Sequence, residues 1–236
     1  MENKIGKLYL IPSSLGENTV HTIPQYVIDV VYTLDTFIAE RAKTARHFLK
    51  ALKTPVAFQD MTFYELNKRT MEEEKSNFLQ DAINGKNVGL LSEAGCPGVA
   101  DPGAFIVELA HKKGIEVIPF VGPSSILLAM MGSGMNGQNF AFVGYLGVQK
   151  NDRVRDLKRL EQLVKKHNQT QIFIETPYRN MQLIENMLQT LQPNTKLCIA
   201  AELTLPTEYI KTKTVSEWRK TELPNLHKKP VIFLIG

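Results

Sequence analysis

Asn87-Val88-Gly89-Leu90-Leu91-Ser92-Glu93-Ala94-Gly95-Cys96-Pro97-Gly98-Val99-Ala100-Asp101-Pro102-Gly103 carries a short apolar run straight into a loop of glycine, proline, serine and acids. A helix is expected directly after it, over 104–113. Asp101 suits the N-cap, and Pro102 falls at the first helical position, where its missing N–H costs nothing. Phe105, Ile106, Leu109 and Ala110 then form one apolar stripe, and Gly114 ends the helix behind Lys112 and Lys113. Strand, glycine-rich loop and capped helix together describe a site at the carboxyl end of a parallel strand. An ordinary tight turn is the alternative. Three glycines and two prolines in the nine residues 95–103 exceed what a turn needs, so the loop reads as one that lets a ligand approach the main chain.

Working outward, apolar runs at 7–11, 36–40, 88–92 and 116–119 read as strands, with helices at 23–34, 44–52 and 71–84 between them. The stretch around Tyr64-Glu65-Leu66-Asn67 reads as a loop. The alternation predicts a largely parallel sheet with helices on both faces. Pro119-Phe120-Val121-Gly122-Pro123-Ser124-Ser125 breaks regular structure and is the expected hinge, dividing the chain into α/β domains at 1–119 and 120–236 with a cleft between them. Beyond it come a helix at 126–131 and strands at 140–146, 171–176, 196–203, 209–214 and 230–235. Helices at 153–166, 179–191 and 215–220 separate them.

A chain of 236 residues accommodates two such domains. The net charge of +4 permits an anionic partner without requiring one. Two cysteines, Cys96 and Cys198, are too few and too far apart for a disulfide framework or a zinc site, which points to a reducing, cytoplasmic setting. No leader pattern opens the chain and no apolar run nears eighteen residues, so neither export nor a membrane span is expected.

The absent motifs narrow the chemistry. There is no Gly-x-x-x-x-Gly-Lys-Ser/Thr, and residues 92–103 hold no lysine, which disfavours a phosphoryl-transfer loop. The dinucleotide fingerprint, the Gly-x-Ser-x-Gly elbow and the His-Glu-x-x-His zinc helix are missing too, and no metal site is expected. His47, His111, His167 and His227 read as surface residues, while His21 lies beside a loop. Loops 13–18, 92–103, 122–125, 175–179 and 202–204 follow apparent strands and offer carbonyls, amides, hydroxyls and carboxylates. Such a lining suits a neutral or cationic polar ligand better than a triphosphate.

Residues 92–103 resemble the signature Ser-Asp-Ala-Gly-Thr-Pro-x-Ile/Val-Ala/Ser-Asp-Pro-Gly of the tetrapyrrole methylase superfamily, in its branch of small-subunit ribosomal RNA ribose 2′-O-methyltransferases. Glu93 replaces the branch's Asp, and Cys96 its Thr. Further landmarks fall in order at 8–16, Ala39-Glu40 with Thr44-Ala45-Arg46, 121–125, Gly144-Tyr145-Leu146, 175–179, 201–204 and 230–236. The resemblance implies two α/β domains that bind S-adenosylmethionine in their cleft, usually as a homodimer. It also implies that Glu93, Ala94, Gly95 and Val99 line the cofactor, with Ser124 and Ser125 in a second contacting segment and Glu175 and Ala201 near a third and fourth.

The acceptor-side landmarks depart further. Ala39-Glu40-Arg41-Ala42-Lys43 stands where the branch has Ala-Glu-Asp-Thr-Arg, and Tyr64-Glu65-Leu66-Asn67 where it has His-Glu-His-Asn. Pro12-Ser13-Ser14-Leu15-Gly16-Glu17 stands for Pro-Thr-Pro-Ile-Gly-Asn, and the branch commonly continues past the last strand. Glu40 and Glu65 align with acids of the branch and are the candidate bases, each also open to a structural role. Lys150, Arg153, Arg155, Lys158 and Arg159 could form a basic patch for RNA, but interspersed acids favour a solvated helix face. Tyr178 and Arg179 could stack on a base or pack structurally. The expected activity is S-adenosylmethionine-dependent methylation of RNA. The alternatives are a tetrapyrrole or other small-molecule acceptor, or a module that keeps the cofactor cleft without transfer.

Overall fold

The computed structural model describes residues 5–67 and 69–236, with the backbone alone at Glu72. It divides into two compact units, Met1–Ser124 and Ser125–Gly236. The boundary lies beyond the expected 119/120 because the segment after residue 119 is tied to the first unit. Phe120 stacks on Tyr9, the Val121 N–H donates to Tyr26 Oη, and Cys96 Sγ lies 3.5 Å from the carbonyl of Pro123.

In the first unit, β1 (Lys7–Ile11), α1 (Gln25–Val31), β2 (Thr36–Ala39), α2 (Ala42–Ala51) and β3 (Thr62–Glu65) are followed by α3 (Glu72–Asn77) and α4 (Gln80–Ile83). Then come β4 (Val88–Leu91), α5 (Gly103–Lys112) and β5 (Glu116–Pro119). The sheet is parallel throughout, in the order β3-β2-β4-β1-β5. Its apolar side chains split by the two-residue period of a strand. Ile11, Phe37, Ala39 and Leu91 pack with Val27, Val31, Phe48 and Leu49 of α1 and α2. Leu8, Ile38, Val88 and Leu90 pack with Ala82, Ile106 and Ala110 of α4 and α5. Helices therefore cover both faces, as expected for parallel strands.

Three local expectations change. Residues 62–65 form an edge strand rather than a loop, pairing with β2 from Thr36↔Thr62 to Ala39↔Glu65. The helix expected at 71–84 is broken where Leu79 takes φ −101°, ψ 10°, a turn that buries both Phe78 and Leu79. Helix α1 is shorter than 23–34, because extended Pro24 holds its N-cap and the chain turns at Tyr32 and Thr33.

The second unit runs α6 (Ser125–Ser133), β6 (Phe140–Tyr145), α7 (Lys150–His167), β7 (Thr170–Ile174) and α8 (Asn180–Thr190). It continues with β8 (Lys196–Ala201), β9 (Tyr209–Thr214), α9 (Val215–Trp218) and β10 (Val231–Ile235). The order is β6-β7-β10-β8-β9. Only β6 and β7 pair in parallel; the last strand inserts antiparallel between β7 and β8, and β9 returns as a hairpin. The central strand β10 runs opposite to both its neighbours, so this sheet is mixed where that of the first unit is parallel. Leu157, Leu160, Leu183, Met187 and Trp218 cover one face over Phe173, Ile199 and Phe233. Helix α6 lies on the other, where Thr212 Oγ1 donates to the Ser133 carbonyl at 2.8 Å. No described helix is long and apolar enough to cross a membrane.

Candidate cofactor site

All five strands of the first unit point the same way, so the loops after β1, β2, β4 and β5 emerge along one edge of the sheet. The loop after β4 is pinned there. Ser13 and Gly95 form an isolated antiparallel bridge, Ser13 Oγ donates to the Ser92 carbonyl at 2.8 Å, and Ser92 Oγ donates to the Gly95 carbonyl at 2.8 Å. Gly95 and Gly98 sit at φ +75° and +79°, where a side chain is strained. Ala100 also takes a positive φ, +61°.

Asp101 holds the far end. Its Oδ1 accepts from the N–H groups of Gly98 at 2.8 Å and Gly103 at 2.7 Å. It does act on the start of α5, but from one residue further out than expected, because the helix opens at Gly103 with Pro102 at the N-cap. Burial pushes the Asp101 carboxyl above the usual carboxylate range; the two N–H donors oppose this, and the charge of Glu40 adds to it. Glu40, Ser92, Asp101, Pro102 and Gly103 line a pocket of about 10 Å³, room for about one water molecule.

Glu93, half-buried, accepts from Thr44 Oγ1 at 3.1 Å, which joins the loop to α2. Ala94 and Val99 are exposed on the loop and Gly95 is buried beneath it. A methyl group added at Gly98 would meet nothing nearer than 3.9 Å, so the chain is open to an approaching ligand there. Glu65 differs from Glu40: its Oε1 accepts the N–H of Ala42 at 2.8 Å, an orphan donor of the first turn of α2. Glu40 makes no hydrogen bond or ion pair among the described residues. Ser124 closes this unit. The residues that sequence reasoning passed over as loop ties are Ser13, Ser92 and Thr44, although each lies inside a quoted landmark.

In the second unit, Ser125 opens α6, Glu175 follows β7 and Ala201 ends β8. Ala201 pairs with Val231 while Ile174 pairs with Ile232, so Glu175 and Ala201 flank the start of β10 on either side. Glu175 is 5 % exposed, and its Oε1 accepts from the Thr176 N–H and from both Nε and Nη2 of Arg179. It fastens its own loop. Glu202 and Thr204, in the next loop, take φ +51° and +72°. The basic patch considered on α7 loses Arg153, which is 2 % exposed and donates to Asn186 Oδ1 and the Val148 carbonyl. Arg155 pairs with Asp152. Among the described residues no cluster of His, Cys, Asp and Glu has metal-holding geometry.

The first unit thus offers an exposed loop main chain with Glu93, Asp101 and Glu40 close by, and residues 92–103 carry no basic side chain. This lining fits a polar ligand bearing positive charge and is poor for polyphosphate.

Comparison with known proteins agrees with this chemistry. A protein of Buchnera aphidicola subsp. Schizaphis graminum named ribosomal RNA small subunit methyltransferase I is 28 % identical over 236 residues, covering 99 % of this chain and 79 % of its own length. The Bacillus subtilis protein of the same name is 30 % identical over 218 residues, covering 92 % and 70 %. Among solved structures, the methyltransferase CobJ superposes with a TM-score of 0.64 at 17 % identity, over 98 % of this chain and 94 % of its own. Uroporphyrin-III C-methyltransferase of Thermus thermophilus, complexed with S-adenosyl homocysteine, does so with 0.58 at 18 %, over 98 % and 97 %. The sequence model of the tetrapyrrole (corrin/porphyrin) methylases matches residues 14–218, and the chain belongs to that family.

Proposed function

We propose that this chain methylates a ribose 2′-hydroxyl of small-subunit ribosomal RNA with S-adenosylmethionine as donor, working in the cytoplasm as a homodimer. The observation that carries the reading is the loop after β4, where main chain and carboxylates are presented without a basic side chain. A sulfonium cation gains from such a lining, whereas a nucleoside triphosphate would need cations or a nest of N–H groups. The acceptor class rests on similarity along nearly the whole chain to proteins named for small-subunit ribosomal RNA.

Within the first unit, Glu93, Ala94, Gly95, Val99 and Ser124 would hold the cofactor; Ser125, Glu175 and Ala201 of the second are candidate contacts by the family resemblance alone, Glu175 by fixing the 175–179 loop. When bound, the cofactor supplies an electrophilic methyl group on sulfur. Ser13, Ser92 and Asp101 keep the loop rigid, which serves the alignment of nucleophile and methyl on which such displacements depend; orientation of this kind is worth up to roughly 7–11 kcal/mol. Glu40 is the proposed base that takes the hydroxyl proton. It lies at the carboxyl end of β2 with no partner among the described residues, whereas Glu65 is committed to the N-terminus of α2.

Tritiated S-adenosylmethionine, incubated with the chain and either small-subunit RNA or assembled small subunits, tests the proposal after digestion to nucleosides. Label on a 2′-O-methylated nucleoside supports it. Label on a base, or cofactor binding with transfer to neither RNA nor subunit, overturns the acceptor assignment.

A further inference from the structure

Tyr178 is 71 % exposed in the loop after β7, yet the main chain beneath it is tightly held. The Lys228 N–H donates to the Pro177 carbonyl at 3.0 Å. Asn180, fully buried, donates through Nδ2 to the carbonyls of Leu226 at 3.0 Å and Lys229 at 2.8 Å. These bonds lock the 176–179 loop to the 226–229 turn. The turn places His227 edge-on to the Tyr178 ring, with centroids 6.0 Å apart, and Lys228 Nζ 5.9 Å from the ring centre.

The neighbouring charges are already spoken for. Arg179 is bound to Glu175, and Lys229 Nζ lies 2.6 Å from Glu202 Oε2. What faces solvent is one aromatic ring flanked by an imidazole and an ammonium group, all three exposed.

We propose that Tyr178, His227 and Lys228 form a platform for single-stranded RNA, the ring stacking on a base while Lys228 meets the adjacent phosphate. The proposal rests on the reading of the acceptor as RNA and assigns where that RNA touches the second unit. A ring already fixed by its loop loses little freedom on stacking, and stacking on an aromatic face tolerates any base. A protein partner would be expected to use an apolar surround at such a ring, but here the neighbours are a cation and an imidazole. Arg179, considered beside Tyr178 from the sequence, is a tether for the loop instead.

The test uses the full chain and a short fluorescein-labelled single-stranded RNA of mixed sequence, followed by anisotropy over a series of salt concentrations. Tyr178→Ala should weaken binding roughly 5- to 150-fold, the range of losing one base–aromatic stack, while Tyr178→Phe stays within about twofold of the original because it keeps the π-face. Lys228→Gln should lower the slope of log affinity against log salt by about 0.7, one phosphate contact on a single strand. Thermal unfolding midpoints should be the same in all three variants, which separates a lost contact from a lost fold.

Binding of the RNA by Tyr178→Ala and Lys228→Gln with unchanged affinity and slope would overturn the platform, even if the parent chain methylates RNA. An equal loss on the matching duplex RNA would overturn stacking as its basis. Weakened single-strand binding in a chain that transfers no methyl to RNA would instead support the platform and defeat the proposed activity.

Discussion

Ser13 and Gly95 exchange both main-chain hydrogen bonds, each at 2.9 Å, although they belong to loops after different strands. The exchange clamps the glycine-rich loop to the end of β1 and leaves Gly95 at φ +75°. An alanine here would pay the left-handed penalty of about 1–2 kcal/mol. Its Cβ would also lie 3.3 Å from Leu15 Cδ2 and 3.4 Å from the Pro123 carbonyl. At Gly98 the same backbone strain arises in open space. Urea unfolding should therefore rank Gly95→Ala below Gly98→Ala, with both below the parent. Equal stability of all three proteins would mean that the loop is not clamped.

Asp101 predicts a pH signature. Because burial holds its carboxyl above the ordinary value, folding takes up a proton in the window between the unfolded and folded pKa. Its contribution is greatest below the ordinary aspartate value of about 4 and is lost as pH rises through the folded value. Asp101→Asn keeps an oxygen for Gly98 and Gly103 and should flatten that part of the stability–pH profile. Asp101→Ala orphans both N–H groups and should cost about 1–3 kcal/mol. A profile of Asp101→Asn that overlays the parent's would refute the assignment.

The two candidate carboxylates separate kinetically. Glu40→Gln should lower kcat for methyl transfer by about 10²–10⁴-fold, the usual worth of a positioned base. Glu65→Gln still accepts from Ala42 and should leave kcat within a few-fold, with a small loss of stability. A reversal of these effects would move the base to Glu65.

Much of this frame was legible because the deciding residues are local. An apolar run ending in Ser92, the positive-φ glycines and an aspartate beside Pro102 state a strand, a loop and a helix start within one short stretch. What escaped depends on distant residues. Thr62-Phe63-Tyr64-Glu65 mixes exposed and half-buried positions because an edge strand is covered on one side only. The reversal in the second sheet is set by β10, whose apolar run Val231–Ile235 reads the same in either direction. Glu175 was visible as a landmark, but its capture by Arg179 was not, since both roles use the same two residue types.

Arg179→Ala tests that capture. It leaves the nearly buried Glu175 carboxylate with the Thr176 N–H alone. Losing a partner from a fully buried pair costs roughly 3–5 kcal/mol; with Arg179 about a third exposed, about 2–3 kcal/mol is expected. Thermal unfolding should reveal the loss, and Arg179→Lys should recover only part of it, because a lysine cannot donate twice from a planar fork. Full recovery by lysine would show the pair to be simple charge neutralisation.

The central claim, that the loop after β4 receives a cationic sulfur donor through main chain and carboxylates, is tested most directly by titration calorimetry of the full chain with S-adenosylmethionine and S-adenosylhomocysteine. Saturable heat is predicted from both, with Glu93→Gln weakening the sulfonium ligand more than its uncharged product. No heat from either ligand in the folded chain, or displacement of neither by competition while ATP binds at that loop, would contradict the account.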